Sequence, residues 1–292
     1  MLRQTVHSPA FRPRPPWQAS LRRAAQASAL YGAAALVALP LLSVLASLFT
    51  DPAETGAHLW QTVLPVYAVN TVALMVLTGL LAAVIGVGAA WCVAMLDFPG
   101  RSVLSWMLIL PLAAPAYIVA YVYVDLLDYF GPVQTGLRAL LGREGGPPLL
   151  PNPRSLPGAA MILALTLYPY VYLLARTAFR QQSVDQWQAA RSLGLSPVRA
   201  FRRVSLPMAR PAIAGGLALV LMETLADFGV ADYFGVPTFS TGIFRSWLAG
   251  GDRAEALRLA AVMLFFVVAL VFLESASRKG RTDASGRTRA LA

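Results

Sequence analysis

The feature that most constrains this chain is a series of long apolar segments with almost no charged side chains. The first covers residues 27–49, which is long enough for a helix to cross a hydrocarbon core of ~30 Å. Lipid offers the backbone no hydrogen-bond partners, so such segments fold as helices. The sequence therefore predicts an all-α polytopic membrane protein with six transmembrane helices. The spans are predicted at 27–49, 67–96, 103–127, 157–174, 208–228 and 256–273.

The distribution of arginine predicts the topology. The formal net charge of +10 would suit either a nucleic-acid-binding protein or the inner face of a membrane protein. Of the 24 basic residues, 18 fall at one set of span ends: residues 1–26, Arg101, residues 176–210 and the tail after 277. This places both termini in the cytoplasm of a bacterial cell, beside anionic membrane lipid. Nucleic acid is not needed to explain the charge.

The spans also divide the chain. We expect a basic cytoplasmic arm at 1–26, a transmembrane domain at 27–275 and a basic cytoplasmic tail at 276–292. The first span is too long for the apolar part of a signal peptide, and we interpret it as retained.

Several classes of chemistry are excluded by motif. The chain has a single lysine, Lys279, and no GxxxxGK[ST] sequence, so it has no phosphate-binding loop for ATP. Cys92, His7 and His58 are far apart and lack the spacing of a zinc site or a Cys-His pair. We expect no cofactor and no enzymatic activity of its own.

Residues 183–207 form a polar segment between two apolar spans. Ser183 begins an S-x-x-Q capping box that predicts a helix from Val184, and Gly194 is placed for the left-handed residue after its end. Ser196 and Pro197 predict the start of a second short helix, which Pro207 would end. The segment is therefore predicted to be a helix, a tight turn and a helix.

The composition of this segment indicates docking. The turn lacks bulky side chains, and Leu193, Leu195 and Phe201 are expected to be apolar anchors for a partner. A double helix rich in arginine could alternatively bind DNA, but both of its ends run into membrane spans, which makes access to a major groove improbable.

Within the second span, small residues recur every four positions, at Thr78, Ala82, Gly86 and Ala90. Such a stripe allows close helix packing, although membrane helices are rich in small residues in any case. Prolines at predicted membrane depth, among them Pro111 and Pro115, indicate broken helices, which suit a transport pathway.

Polar residues at helical spacing occur in two spans. Tyr117, Tyr121 and Asp125 share one face of the third span, and Glu223 and Asp227 share one face of the fifth. Acidic residues within a membrane usually face a pathway, whereas residues at helix ends can lie in the headgroup layer. Both readings stay open for the two aspartates, and an interior position is favoured for Glu223.

The segment 183–207 resembles the EAA loop of binding-protein-dependent ABC importer permeases, and we call it the EAA-like loop. The pattern is EAAxxxG, nine residues, then I-x-L-P. Gln188 stands where the pattern has Glu, and Val204 where it has Ile. By resemblance, the residues that contact the ATPase are Gln188, Ala189, Ala190, Gly194, Leu206 and Pro207.

The resemblance extends from about Asn70 to the last span. The segment METLADFGVADYFGVPTFSTGIFRSW is similar to ferric-iron permeases, with thiamine permeases as close relatives. It implies one six-helix unit of the type I importer fold, two copies of a separate ATPase, an extracytoplasmic binding protein and a second permease unit. Permeases of the iron type commonly carry two units in one chain, so this chain would be a homodimer, pair with a separate chain or be half of a longer one.

For ferric iron as cargo, oxygen ligands are chemically apt. The candidate transient ligands are Glu223, Asp227, Tyr117 and Tyr121. A thiamine permease is the alternative within the family. An ion-coupled secondary transporter is the alternative outside it, and would leave the EAA-like loop without a role.

Overall fold

The computed structural model describes residues 16–49, 63–142, 147–182 and 184–289, and every regular element within them is helical. The α-helices are α1 (Pro16–Ala46), α2 (Leu64–Met95), α3 (Arg101–Met107), α4 (Ala116–Leu127), α5 (Pro132–Leu140), α6 (Leu156–Gln181), α7 (Val184–Ser192), α8 (Pro197–Ala200), α9 (Leu206–Ala226), α10 (Gly229–Tyr233), α11 (Phe239–Phe244) and α12 (Arg253–Arg289). Short 3-10 turns cover Ser47–Phe49 and Leu110–Ala113, and π-helical turns cover Phe201–Ser205 and Arg245–Ala249. The predicted all-α fold is confirmed.

The chain forms two compact units, Met1–Thr50 and Asp51–Ala292. The first unit contains α1, whose stretch Ala25–Ala46 is apolar and long enough to cross a membrane. Helix α1 begins at Pro16, a residue well suited to a first helical turn, so residues 16–26 of the predicted basic arm are helical. The remainder of the predicted arm, residues 1–15, lies outside the described residues.

The core of the second unit is the contact between α2 and α6. The predicted stripe on α2 is buried there: Thr78, Ala82 and Ala90 have no exposed surface. At Gly86 a Cβ atom would lie 2.8 Å from the Cβ of Val171 and 2.9 Å from the carbonyl oxygen of Tyr168. The backbones approach so closely that only glycine fits, which confirms the packing role predicted for the stripe.

Helix α9 packs on the same two helices. Gly216 faces α6, where a Cβ would lie 2.7 Å from the Cα of Val171, and Gly79 of α2 faces Leu221 of α9. Most of α6 is buried, including Tyr172 and Phe179, so α6 is the central helix of this unit. A helix of this length rises about 39 Å, enough to cross the bilayer.

The third predicted span is not one helix. Residues Arg101–Ala113 and Ala116–Leu140 are bent by 98° at residues 114–115. Pro111 and Pro115 lack an N–H group, and Pro115 also disfavours a helical conformation at Ala114, whose ψ is 128°. The sequence predicted a broken helix at these prolines, but not the size of the bend.

Five helical stretches of the described residues are long and apolar enough to cross a membrane, or six if the bent pair counts as one span. Besides Ala25–Ala46 they are Leu64–Met95, Leu156–Arg180, Pro197–Ala226 and Arg253–Ser275. Helix α12 continues to Arg289, so most of the predicted tail is helical, and residues 290–292 lie outside the described part of the chain.

Candidate functional site

The EAA-like loop begins with a helix that ends at a glycine. Helix α7 begins at Val184, as predicted, while its predicted cap, Ser183, lies outside the described residues. Gly194 has a φ of +83°. Its N–H donates to the carbonyl of Arg191, and the N–H of Leu195 donates to the carbonyl of Ala190. These two bonds form a Schellman motif, so the predicted role of Gly194 is confirmed.

The second helix does not end at Pro207, and that prediction was wrong. Helix α8 continues through the π-helical turn into α9, giving one helical stretch from Pro197 to Ala226. The N–H of Leu206 donates to the carbonyl of Phe201 within that turn. Pro207 has no N–H to donate within this continuous stretch, and the π-helical turn just before it accommodates the missing bond. The loop is therefore joined to a membrane span by continuous helix.

The tip of the loop is exposed to solvent. Gln188, Ala189 and Gly194 are exposed, and Leu193 is 83% exposed, as expected of an apolar anchor. Ala190 is buried against the rest of the loop. Phe201, predicted as another anchor, turns inward and packs on the core, because it belongs to a continuous helix.

Beneath the tip lies an aromatic cluster of four rings, one from each of four elements: Trp91, Phe179, Trp187 and Phe201. The ring of Trp91 at the end of α2 is central to it. Its centroid lies 5.5 Å from that of Phe179, 5.1 Å from that of Trp187 and 4.5 Å from that of Phe201. The cluster thus joins α7 to the ends of α2 and α6 and to the start of the α9 span.

The sequence analysis did not identify this cluster. The available signal was Trp187, a large apolar side chain in a helix that is otherwise polar or small. A hydrogen bond closes the base of the loop as well: the side-chain amide of Gln182 donates to the carbonyl oxygen of Ser205 over 2.9 Å. The two ends of the loop are therefore fixed to each other.

The second candidate site is a cavity of about 250 Å³ beside the break in the third span. We call it the acidic cavity, because Glu223 and Asp227 both line it. The other lining residues are Leu112, Ala113, Ala114, Pro115, Ala116, Leu163, Thr166, Leu167 and Tyr170. The two carboxylates, predicted to share one face of the fifth span, line the same cavity, and no basic side chain among the described residues lines it.

The two carboxylates differ in their partners. Helix α9 ends at Ala226, and Asp227 is extended with a ψ of 122°. Its carboxylate accepts hydrogen bonds from the N–H groups of Val230 and Ala231, at 3.0 and 3.1 Å, and so caps α10. Glu223 lies one turn earlier, inside α9, and is exposed to the cavity.

The two predicted tyrosines do not line the acidic cavity. The ring of Tyr121 packs on that of Tyr233, with centroids 4.1 Å apart, and Tyr117 packs against Gly229. Asp125 is exposed at the end of α4. Among the described residues there is no group of three or more His, Cys, Asp or Glu side chains that could hold a metal ion.

The segment after α9 is held by hydrogen bonds as well as by ring contacts such as that of Phe228 with Phe244. Thr238 caps α11 in a capping box with Thr241. The amide of Asn70 donates to the carbonyl of Pro237, and the hydroxyl of Thr71 accepts from the N–H of Phe239. The Ser240 hydroxyl donates to the carbonyl of Asp227 over 2.6 Å. These bonds fix the backbone beside Asp227 to α2.

The fold, the continuous loop and the buried α2 stripe define a class of protein. Residues 75–277 match the family described as the binding-protein-dependent transport system inner membrane component, and the chain belongs to that family. It is 30% identical over 236 residues to a probable molybdenum ABC transporter permease of Haloferax volcanii, covering 80% of this chain and 83% of the relative. It is 26% identical to the molybdenum permease ModB of Escherichia coli, covering 81% and 99%.

A ferric-iron relative is also similar. The chain is 24% identical over 205 residues to the Fe(3+)-transport permease FbpB 2 of Haemophilus influenzae, covering 70% of this chain and 36% of that longer protein. A solved bacterial ABC transporter that imports alginate shares the fold with a TM-score of 0.67, at 17% identity, over 91% of this chain and 98% of that one. The predicted ABC importer permease and its fold are confirmed, while the predicted cargo, ferric iron, stays a prediction.

Proposed function

We propose that this permease passes ferric iron from an extracytoplasmic binding protein to the cytoplasm, driven by a separate ATPase docked on the EAA-like loop. The observation that carries the choice of cargo is the acidic cavity. It lies at a break in a membrane span and contains Glu223 and Asp227, and its lining has no basic side chain in the part of the chain that the structure describes. Fe³⁺ prefers hard oxygen ligands, and carboxylates supply them.

The differing partners of the two carboxylates assign them different roles. Asp227 is held by two backbone N–H groups, so its orientation is fixed. Glu223 has a flexible side chain exposed to the cavity and would be the transient ligand. A pathway needs such weak contacts because the cargo must also leave. Tyr117 and Tyr121 would act only if the neighbouring helices moved.

A molybdate or sulfate permease is the second candidate, because several relatives transport molybdenum or sulfate. An oxyanion requires hydrogen-bond donors or positive charge at its site. Two carboxylates in the cavity lining would instead repel it. The acidic cavity therefore supports iron over an oxyanion at this position.

The EAA-like loop would transmit the movement of the ATPase to the membrane helices. An ATPase bound at the exposed residues Gln188, Ala189, Leu193 and Gly194 would move α7. Ala190 would pack α7 on the rest of the loop. Leu206 and Pro207 would connect the loop rigidly to α9. Through the aromatic cluster this movement would reach α2 and α6 together. The pathway would alternate between inward-facing and outward-facing states as two such ATPase subunits close.

The assembly would contain a second permease unit, either another copy of this chain or a separate chain. Both termini would lie in the cytoplasm, because the same side carries the EAA-like loop and most of the arginines.

Uptake by the complete importer, with its binding protein and ATPase, tests the cargo. Cells or vesicles are given radiolabelled ferric iron, molybdate or sulfate in parallel. We expect ferric iron to accumulate, and Glu223→Gln to reduce its uptake about tenfold, equivalent to about 1.4 kcal/mol. The matched control is Asp128→Asn, an exposed acidic residue outside the acidic cavity. Uptake of molybdate or sulfate but not iron would overturn the proposal.

A further inference from the structure

Helix α5 has its polar and apolar faces reversed relative to a helix on a soluble protein. Gln134 and Arg138, one turn apart, are 1% and 9% exposed. Leu140 is 86% exposed, and Phe130, just before the helix, is 87% exposed. A helix facing water normally buries its apolar side chains and exposes its polar ones.

Hydrogen bonds fix this orientation. The side chain of Gln134 donates to the carbonyl of Leu127 and accepts from the N–H of Leu149, at 3.2 and 3.1 Å. The guanidinium of Arg138 lies over the ring of Tyr129, 4.2 Å from its centroid, and donates to the Tyr129 carbonyl. Rotating α5 to bury its leucines would break all of these contacts.

The outward apolar residues form one stripe. Val133, Leu137, Leu140 and Leu141 follow at helical spacing. Val133 and Leu141 are 42% and 56% exposed. Thr135 lies on the other side of the helix and is also exposed. The stripe carries no charge.

The position of α5 indicates what covers the stripe. Helix α4 exposes Ile118, Val122 and Leu126 at four-residue spacing, and Phe130 is exposed just after the end of that helix. A cavity of about 540 Å³ is lined by both Leu127, at the end of α4, and Met161, near the start of α6. The other end of α6 reaches the aromatic cluster under the EAA-like loop. The exposed apolar row of α4 thus leads directly to α5. We therefore expect α5 to lie at the bilayer surface opposite the EAA-like loop.

We propose that α5 is an interfacial helix that lies in the leaflet opposite the EAA-like loop, with Phe130, Val133, Leu140 and Leu141 against the acyl chains of phospholipids. Apolar helix faces of this kind enter the boundary between headgroups and acyl chains. The lipid contact would hold the outer end of α4, one side of the break in the third span, at a constant depth. This inference does not depend on the identity of the cargo.

Spin labels at single cysteines test the depth of α5. Cys92 is first replaced by serine, and Leu140→Cys and Thr135→Cys are then labelled separately. Both native side chains are exposed, so neither label should disturb packing. The full importer complex is placed in vesicles of phosphatidylethanolamine and phosphatidylglycerol. Accessibility of each label to oxygen, which is enriched in lipid, and to a water-soluble nickel chelate is measured by electron paramagnetic resonance.

We expect the label at 140 to be more accessible to oxygen than to the nickel chelate, and the label at 135 to show the opposite order. Equal accessibility of both labels to the nickel chelate would mean that α5 lies in water, and would overturn the proposal. Protection of the label at 140 from both reagents would also overturn it, because a protein partner would then cover the stripe.

Discussion

The EAA-like loop and the acidic cavity are supported by different contacts, although both are attached to α2, α6 and α9. The loop is supported by rings: Trp187 packs on Trp91, which also contacts Phe179 and Phe201. The segment beside the cavity is fixed by hydrogen bonds to the Asp227 carboxylate and carbonyl. Burial of apolar rings is less directional than hydrogen bonding, which specifies one geometry. The difference suits one region that transmits movement and one that positions a ligand.

The largest expected effect tests the packing of α2 on α6, which supports both the EAA-like loop and the acidic cavity. Gly86→Ala should place a Cβ within 2.9 Å of α6 atoms and force α2 away, at about 1–3 kcal/mol or more. We expect a lower melting temperature in detergent and loss of transport together. Gly88→Ala is the control, since a Cβ there meets nothing within 4 Å. Equal melting temperatures for the two variants would refute the close packing of α2 on α6.

The next effect concerns the loop alone. Trp187→Ala should remove its contact with Trp91 and reduce iron carried per ATP hydrolysed about 5- to 30-fold, as expected for a loss of about 1–2 kcal/mol of packing. The ATPase should still bind, because the exposed tip is unchanged. Trp187→Phe should retain most transport. If Trp187→Ala transports as well as the wild type, the aromatic cluster does not carry the movement.

A third substitution separates the two carboxylates of the acidic cavity. Asp227→Ala should lose the cap of α10 and destabilise the protein by about 1 kcal/mol. Asp227→Asn keeps an acceptor oxygen and should fold normally. Iron uptake that falls in Asp227→Asn at unchanged stability would show that the negative charge itself serves the cargo. Equal thermal stability of the alanine variant and the wild type would contradict the capping role.

The smallest effect is expected at the base of the loop. Gln182→Leu removes the hydrogen bond to the Ser205 carbonyl, worth about 0.5–1.5 kcal/mol. The amount of cargo transported per ATP hydrolysed should fall slightly, without loss of ATPase binding. Gln181→Leu, at the neighbouring exposed position, is the control. The same ratio of transport to ATP hydrolysis in both variants would show that the Gln182 hydrogen bond does not contribute to coupling.

Sequence reasoning was most successful where one physical requirement dominates. The helical fold follows from apolar length, and the turn at Gly194 from the preference of glycine for positive φ. It failed where tertiary context decides. Pro207 indicated a helix end, but the preceding π-helical turn lets the helix continue, and this turns Phe201 inward.

The candidate iron ligands also show that helical spacing alone does not predict tertiary contacts. Tyr117 and Tyr121 share a helical face, yet they pack on Gly229 and Tyr233 and not in the acidic cavity. Glu223 and Asp227 do share it, although the chain leaves the helix at Asp227. The spacing predicted their proximity, but the capping role of Asp227 depends on α10, a short helix that the residue pattern does not reveal.

The central claim is that the exposed tip of the EAA-like loop is where an ATPase engages this permease. Its most direct test is co-purification of the ATPase with Ala189→Trp, which adds bulk at an exposed position without changing the backbone at Gly194. Thr135→Trp, at an exposed position in α5 outside the EAA-like loop, is the matched control. We predict that Ala189→Trp loses most of the bound ATPase while Thr135→Trp retains it. Full retention by Ala189→Trp would contradict the claim.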